Sequence, residues 1–165
     1  MQVKLQIATA DDVSDLVSLR NAVSQHLTAQ YGEGFWSGTS TEKGVRFGMR
    51  MSSVYVARHR NRLIATLSLS TRKPWAIDKK YFSASQRPLY LTSMAVGPDD
   101  QGKGLGKLCI EEACRIARKW PSDALRLDAW DAEAGAGQFY QKCGFREVGR
   151  ATYRNAPLIY FEMLL

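Results

Sequence analysis

The spacing of apolar residues predicts a mixture of strands and helices in the first half of the chain. Residues 3–8 alternate apolar and polar side chains, which is typical of a half-buried strand. Apolar side chains then recur at helical spacing to about position 28, and a second, shorter helix is predicted to end near Met49. Two β-rich runs around the turn His-Arg-Asn-Arg predict an antiparallel hairpin over residues 53–70.

In the second half, apolar runs separated by glycines and prolines predict further strands and helices. Residues 71–88 lack periodicity and contain prolines, so they form a long connection. Residues 89–96 are almost continuously apolar, as in a strand covered on both faces. A long helix, a strand at 124–130, a short helix ended by Gly144 and a closing pair of strands follow. The order β-α-α-β-β-β-α-β-α-β-β therefore predicts a mixed α/β sheet in one domain spanning 1–165.

Composition narrows the class of partner. The 165 residues are 45% hydrophobic and 24% charged, as in a globular protein, and the formal net charge is +7. This charge favours an anionic partner, and a phosphorylated small cofactor satisfies it. We expect no nucleic acid partner, because no zinc finger, RNP-type aromatic strand or long basic run is present. We also expect a cytoplasmic protein without membrane contact, because no signal-peptide core or membrane-length apolar run is visible.

The cysteines and histidines do not form a metal-binding pattern. Cys109, Cys114 and Cys143 lack a C-x-x-C spacing, and the two histidines, His26 and His59, lie far apart in the sequence. Small buried thiols are the interpretation that this pattern favours. We therefore expect no metal site.

The stretch VGPDDQGKGLGKLCIEEA, residues 96–113, places four glycines between an apolar strand and an amphipathic helix. Residues 97–103 approach the G-x-x-x-x-G-K phosphate-binding loop of nucleoside triphosphatases. That interpretation fails at Gly104, which stands where a hydroxyl residue would bind Mg²⁺. A dinucleotide-binding fingerprint fails as well, because Lys107 occupies the position of its third glycine.

A third interpretation of the glycine loop fits better. Gln101-x-x-Gly104-x-Gly106, at the end of a strand and the start of a helix, resembles the Q/R-x-x-G-x-G/A segment of the GCN5-related N-acetyltransferase (GNAT) superfamily. In that family the loop holds the pyrophosphate of acetyl-coenzyme A (acetyl-CoA). The backbone amides of 102–107 can point at a diphosphate, and the helix dipole, Lys103 and Lys107 add positive charge.

The resemblance extends to a second segment, LRLDAWDAEAGAGQFYQKCGF, in the family's order. It resembles the strand and helix in which GNAT proteins carry A-x-x-L-Y-x-x-x-G-F, matched here by Ala136, Phe139, Tyr140, Gly144 and Phe145. The resemblance implies a single GNAT domain with a mixed, mostly antiparallel sheet flanked by helices. It also implies an acetyl-CoA-dependent N-acetyltransferase.

The resemblance also implies which residues bind the cofactor. The strand before the glycine loop splays from its neighbour in this family and offers backbone groups to the pantetheine arm. Glu133 departs from the family, which often has asparagine there, and either contacts the cofactor or faces an incoming cationic amine. The implied cofactor-binding set is Met94, Ala95, Val96, Gln101, Gly102, Lys103, Gly104, Leu105, Gly106, Lys107, Glu133, Phe139 and Tyr140.

The catalytic candidates are a tyrosine and two carboxylates. Tyr140 matches the family tyrosine that often protonates the departing coenzyme A thiolate. Asp128 lies on a strand where some members carry a catalytic carboxylate, and Glu33 is the other candidate for the general base. Asp128 shares a strand face with Arg126, so an ordinary ion pair between them is the competing interpretation. A water chain without a single base is also open.

The acceptor is expected to be an amine on a small molecule or a protein. Residues 28–40 and 71–88 would supply its side walls. The aromatic residues there either form a wall or fill the core: Phe35, Trp36, Trp75, Tyr81 and Phe82. Residues 156–165 are an apolar strand, and if this strand lies at the sheet edge a homodimer would form through it. A non-catalytic acyl-CoA-binding sensor or complex subunit is the alternative function.

Overall fold

A computed structural model describes residues 2–165, and its elements follow the predicted order. The strands are β1 (Gln6–Ile7), β2 (Ser53–His59), β3 (Arg62–Ser70), β4 (Pro88–Val96), β5 (Ala124–Trp130), β6 (Arg146–Tyr153) and β7 (Ala156–Leu164). The helices are α1 (Val13–Tyr31), α2 (Glu42–Met51), α3 (Leu105–Lys119) and α4 (Gly137–Lys142). The mixed α/β class is confirmed.

Two predicted boundaries differ from the structure. The first strand was expected over residues 3–8, but only Gln6 and Ile7 pair with β2, so β1 is short. Helix α1 continues to Tyr31 instead of ending near 28. It ends there because Gly32 adopts a φ of +81°, and the amide of Gly32 donates to the carbonyl of Thr28.

All seven strands form one sheet in the order β1-β2-β3-β4-β5-β7-β6. Every neighbouring pair is antiparallel except β4 and β5, which are parallel. Their pairing joins only Pro88–Tyr90 to Ala124–Arg126, so the two strands separate towards their carboxyl ends. The predicted splay of β4 from its neighbour is therefore present in the fold.

The strand after the last turn is not at the sheet edge. β7 lies between β5 and β6 and pairs with both along its length. The expectation of an apolar edge over residues 156–165 is therefore wrong, because the closing hairpin places β6 outside β7. The edges of the sheet are β1 and β6.

The two faces of the sheet carry different layers. On the back face, α3 and α4 pack over a core that includes Leu125, Leu127 and Phe161. On the front face, α1 and α2 cover β2 and β3, while the 71–88 connection packs on Tyr90 and Tyr160. Because side chains alternate along a strand, neighbouring residues of β5 point to opposite faces of the sheet. Side chains from both faces can therefore contribute to a site at the end of this strand.

Within residues 2–165, none of the helices has both the length and the apolar character that crossing a bilayer requires.

Candidate active site

The glycine loop is folded as a cradle of backbone amides. Gly102 and Gly104 have φ values of +73° and +78°, a left-handed conformation that other residues adopt only at a cost. The side-chain amide of Gln101 donates to the carbonyl of Val96 at 2.9 Å and ties the loop to the end of β4. The ammonium group of Lys103 donates to the carbonyl of Asp99 at 2.6 Å.

Within residues 2–165, the amides of 102–107 donate to no backbone carbonyl; the next amide, that of Leu108, donates to Gly104 at 3.2 Å. Free amides at the start of a 15-residue helix attract an anion, because the helix dipole adds partial positive charge there. Residues 101–104 and Lys107 are exposed, so a ligand can reach them. This donor set fits a diphosphate.

Three of the predicted cofactor residues meet in one layer on the back face. A Cβ atom at Gly106 would lie 2.9 Å from Cε2 of Phe139 and 3.8 Å from Cε of Met94. A side chain here would force Phe139 to shift, so glycine allows the close approach of α3 to α4 and does not serve an unusual φ. The layer brings the glycine loop, β4 and α4 together beside the divergence of β4 and β5.

Tyr140 is buried on the back face among aromatic rings. Its ring centroid lies 5.2 Å from that of Phe139, 5.6 Å from Phe145 and 6.0 Å from Phe161. Burial, with a contribution from the negative charge of Asp128, raises the pKa of Tyr140 far above its ordinary value. The phenol is therefore protonated throughout the range in which proteins are assayed.

Asp128 is half-buried and projects to the front face of β5, opposite Tyr160 of β7. Burial raises the pKa of Asp128 above its ordinary value. A carboxylate with a raised pKa is a better proton acceptor than an exposed one. The structure thus brings the predicted acid and one predicted base together, with β5 between them.

Arg126 and Asp128 do not form the ion pair that was the competing interpretation of Asp128. Arg126 instead donates from Nε to Glu162 at 2.9 Å, and its Nη2 donates to the carbonyl of Ser83 at 2.7 Å. Both partners are almost fully buried, with side-chain exposures of 4% and 1%. The Ser83 amide also donates to Glu162, so the network fastens the 71–88 connection to the sheet. The interpretation of an Arg126–Asp128 pair is therefore wrong.

The loop after α1 separates two open clefts on the front side. One has a volume of about 390 Å³ and is lined by Gln30, Tyr31, Trp36, Glu133 and Ala134. The other, of about 420 Å³, contains Glu33. The two predicted glutamates therefore lie in different clefts, and neither forms an ion pair among residues 2–165.

The five aromatic residues of the proposed walls divide into three groups. Tyr81 and Phe82 pack against Tyr160 and fill the core. Phe35 and Trp75 are exposed, at 51% and 86%. Only Trp36 forms a wall, because its ring meets the edge of Trp130 at a centroid distance of 6.1 Å, and its indole N–H donates to Gly32 at 2.9 Å.

Sequence reasoning missed two features that shape the site. Ser93 has a φ of +52° and forms a bulge, since β3 advances two residues from Thr66 to Ser68 while β4 advances three, from Ala95 to Thr92. Nothing in the residue type signals this. The buried partner of Arg126 was also missed, although Glu162 inside an apolar strand is a recognisable signal of a buried ion pair.

Within residues 2–165, no three His, Cys, Asp or Glu side chains come together as a metal-binding cluster. Burial raises the pKa of Cys109 to about 11, so this thiol is inert at neutral pH.

These features define a class: a mixed-sheet α/β protein with a glycine loop of free backbone amides beside a divergent parallel strand pair. The model of the Acetyltransferase (GNAT) family matches residues 21–145, so the chain belongs to this family and is an acetyltransferase by class. No curated protein sequence matches it significantly.

Solved structures share the fold at low sequence identity. A ribosomal-protein-alanine N-acetyltransferase from Brucella melitensis is 17% identical, with a TM-score of 0.73 over 98% of this chain and 99% of that one. An N-acetyltransferase from Staphylococcus aureus Mu50 is 15% identical, with a TM-score of 0.70 over 99% of both chains. YncA from Salmonella typhimurium, solved with its cofactor acetyl-CoA, is 16% identical, with a TM-score of 0.68 over 100% and 95%.

Proposed function

We propose that this chain transfers the acetyl group of acetyl-CoA to a primary amine. The observation that supports this best is the run of unpaired amides over 102–107, beside the point where β4 leaves β5. With a diphosphate on these amides, an extended pantetheine arm would follow the open edge of β4. Beyond Tyr90, that edge is not paired with β5, so the backbone groups of Met94 and Ala95 that point to this side are not used by the sheet, whereas the Val96 carbonyl accepts from Gln101.

In the proposed reaction, Asp128 prepares the acceptor. A primary amine is protonated at neutral pH and must lose a proton before it can attack. Asp128 accepts this proton, and its raised pKa favours the transfer. Acetyl-CoA supplies an activated carbonyl carbon and a thiolate leaving group: the bond from nitrogen to carbon forms as the bond from carbon to sulfur breaks. The attacking nitrogen loses a second proton as the amide forms, and this proton passes to solvent.

Tyr140 stabilises the departing sulfur from the other side of β5. Because its pKa is raised, complete proton transfer from the phenol to a thiolate is uphill. We therefore assign Tyr140 the role of a hydrogen-bond donor to the developing negative charge. The final proton of the thiol then comes from solvent. This refines the simple acid role that the resemblance implied.

Glu33 is the second candidate for the base, in the cleft on the other side of the 32–38 loop. Its side chain is exposed, so it lacks the burial that makes Asp128 a stronger proton acceptor. Comparison of Asp128→Asn with Glu33→Gln separates the two. We expect kcat to fall about a hundredfold or more in the first variant and little in the second.

The rival function is binding of acyl-CoA without transfer. A binding module has no use for a half-buried carboxylate without a cationic partner, and such a group lowers stability. Two measurements test the proposal: calorimetry with acetyl-CoA, and thiol release with a panel of primary amines. Binding without turnover on any amine would favour the module. Absence of acetyl-CoA binding would refute the proposal altogether.

A further inference from the structure

The cleft beside Trp36 has an unusual charge for this protein. The chain has 23 lysines and arginines and a net charge of +7. Even so, among the described residues no Lys, Arg or His lines either of the two clefts that flank the 32–38 loop, and each cleft contains one glutamate. In a basic protein, a cleft with a negative charge and no cation selects for positively charged ligands.

The nearby basic side chain is directed to other carboxylates. Arg150 contacts Glu147 at 2.6 Å and Asp131 at 3.1 Å, which leaves Glu133 without a cationic partner among residues 2–165. Of the acidic residues around the 131–134 turn, Glu133 is thus the one whose charge faces the cleft uncompensated.

Two aromatic side chains complete the chemistry of the cleft. Tyr31 and Trp36 line it with Glu133, and Trp36 is held in place by its bond to Gly32 and its edge contact with Trp130. The faces of aromatic rings attract cations, and a carboxylate adds direct charge. An ammonium group fits this combination better than a neutral or anionic group does.

The cleft beside Trp36 also lies near the carboxyl end of β5, where Asp128 is placed. Trp130 is the last residue of β5, two residues beyond Asp128 and on the same front face. A chain of five residues spans at most about 18 Å, so Glu133 lies within about that distance of Asp128, measured between Cα atoms. This upper limit is compatible with one extended diamine contacting both carboxylates.

We propose that the acceptor carries a second positive charge, bound at Glu133 and Trp36, while the reacting amine lies at Asp128. The substrate class is a small aliphatic diamine or polyamine. This inference rests on the proposed acetyl transfer and adds the acceptor class to it.

The test compares α,ω-diaminoalkanes of four to eight carbons with 1-aminoalkanes of the same length in a thiol-release assay. We expect kcat/KM to favour the diamine by roughly five- to tenfold at low salt, and this preference to shrink as salt is raised. In Glu133→Gln, the ratio should fall towards one, mainly through KM. Trp36→Phe should retain more of the preference than Trp36→Leu.

Glu42→Gln is the matched control, because it removes one exposed carboxylate from α2 that lines neither cleft. It should keep the wild-type ratio. A wild type that turns over both amines equally, or a ratio that Glu133→Gln leaves intact, would overturn the inference and leave acetyl transfer standing.

If no amine is acetylated, calorimetry still tests whether Glu133 binds a second positive charge. With coenzyme A present, 1,6-diaminohexane should bind to the wild type at least fivefold more tightly than to Glu133→Gln. Equal affinity in the two proteins would refute the second-charge site. The proposed transfer is judged separately, by turnover.

Discussion

Replacement of Tyr140 by phenylalanine tests the proposed stabilisation of the leaving thiolate. A hydrogen bond to a charged group contributes about 1.5–3 kcal/mol. At about 1.36 kcal/mol for each factor of ten, its loss lowers kcat by roughly 10- to 150-fold. Binding of acetyl-CoA should change little, because phenylalanine keeps the ring contacts with Phe139, Phe145 and Phe161.

Measurements of Tm and of the pH dependence of kcat distinguish this role of Tyr140 from a role in packing alone. Among residues 2–165, the Tyr140 hydroxyl has no hydrogen-bond partner, so its removal should leave Tm unchanged or slightly higher. A tyrosine with an ordinary pKa would make kcat fall as pH rises towards 10, because the donor would be lost. Because the pKa is raised, we expect no falling limb up to pH 10. An unchanged kcat in Tyr140→Phe would refute the role.

Three further substitutions test the candidate site and the buried ion pair of Glu162. Asp128→Asn should lower kcat about a hundredfold or more yet raise Tm at pH 7.5. This stabilisation should disappear near pH 4, because a raised folded pKa penalises only the ionised form. Gly106→Ala should weaken acetyl-CoA binding in calorimetry, because the added methyl group displaces Phe139. Gly48→Ala is its control: Gly48 has open space around it, so this substitution should stabilise the protein by about 1 kcal/mol. Glu162→Gln should destabilise the protein by about 3 kcal/mol in urea unfolding, against less than about 1 kcal/mol for Arg150→Met at an exposed pair.

Each of these three changes has its own contradicting result. A Tm gain that is equal at both pH values would mean that the charge of Asp128 is not its cause. Unchanged acetyl-CoA binding in Gly106→Ala would show that Phe139 shifts to admit the methyl group without disturbing the site. Equal effects of Glu162→Gln and Arg150→Met would mean that burial adds nothing to the pair.

Local sequence signals predicted the order of elements and the glycine loop. Strand alternation, helical spacing and glycine positions act within a few residues, so they are visible in the letters. The pairing of β7 with both neighbours is not local, because it depends on which way the closing hairpin turns. The expected apolar edge at 156–165 failed for that reason.

The same distinction explains the candidate site. Tyr140 and the loop at 101–107 belong to short motifs that resemble family segments, so both could be predicted as site candidates from the sequence. The partner of Arg126 lies 36 residues away on β7, and the choice between Asp128 and Glu162 depends on strand register. The separation of Glu33 and Glu133 into two clefts depends on the path of the 32–38 loop, which carries no periodic signal.

If Asp128 and Tyr140 act as proposed, the divergence of β4 and β5 explains how the two groups can reach one molecule from opposite sides of β5. Asp128 projects to the front of β5, and Tyr140 approaches from the back, where α4 packs. If the parallel ladder continued beyond Tyr90, its hydrogen bonds would close the space between the strands, and the two groups could not act on one molecule. An open gap lets a thioester present its sulfur to the back and its carbonyl carbon to an amine from the front. The proposed chemistry therefore requires that β4 and β5 stay unpaired beyond Tyr90. The amine then loses its proton on the front side of the gap, while negative charge develops on sulfur on the back side.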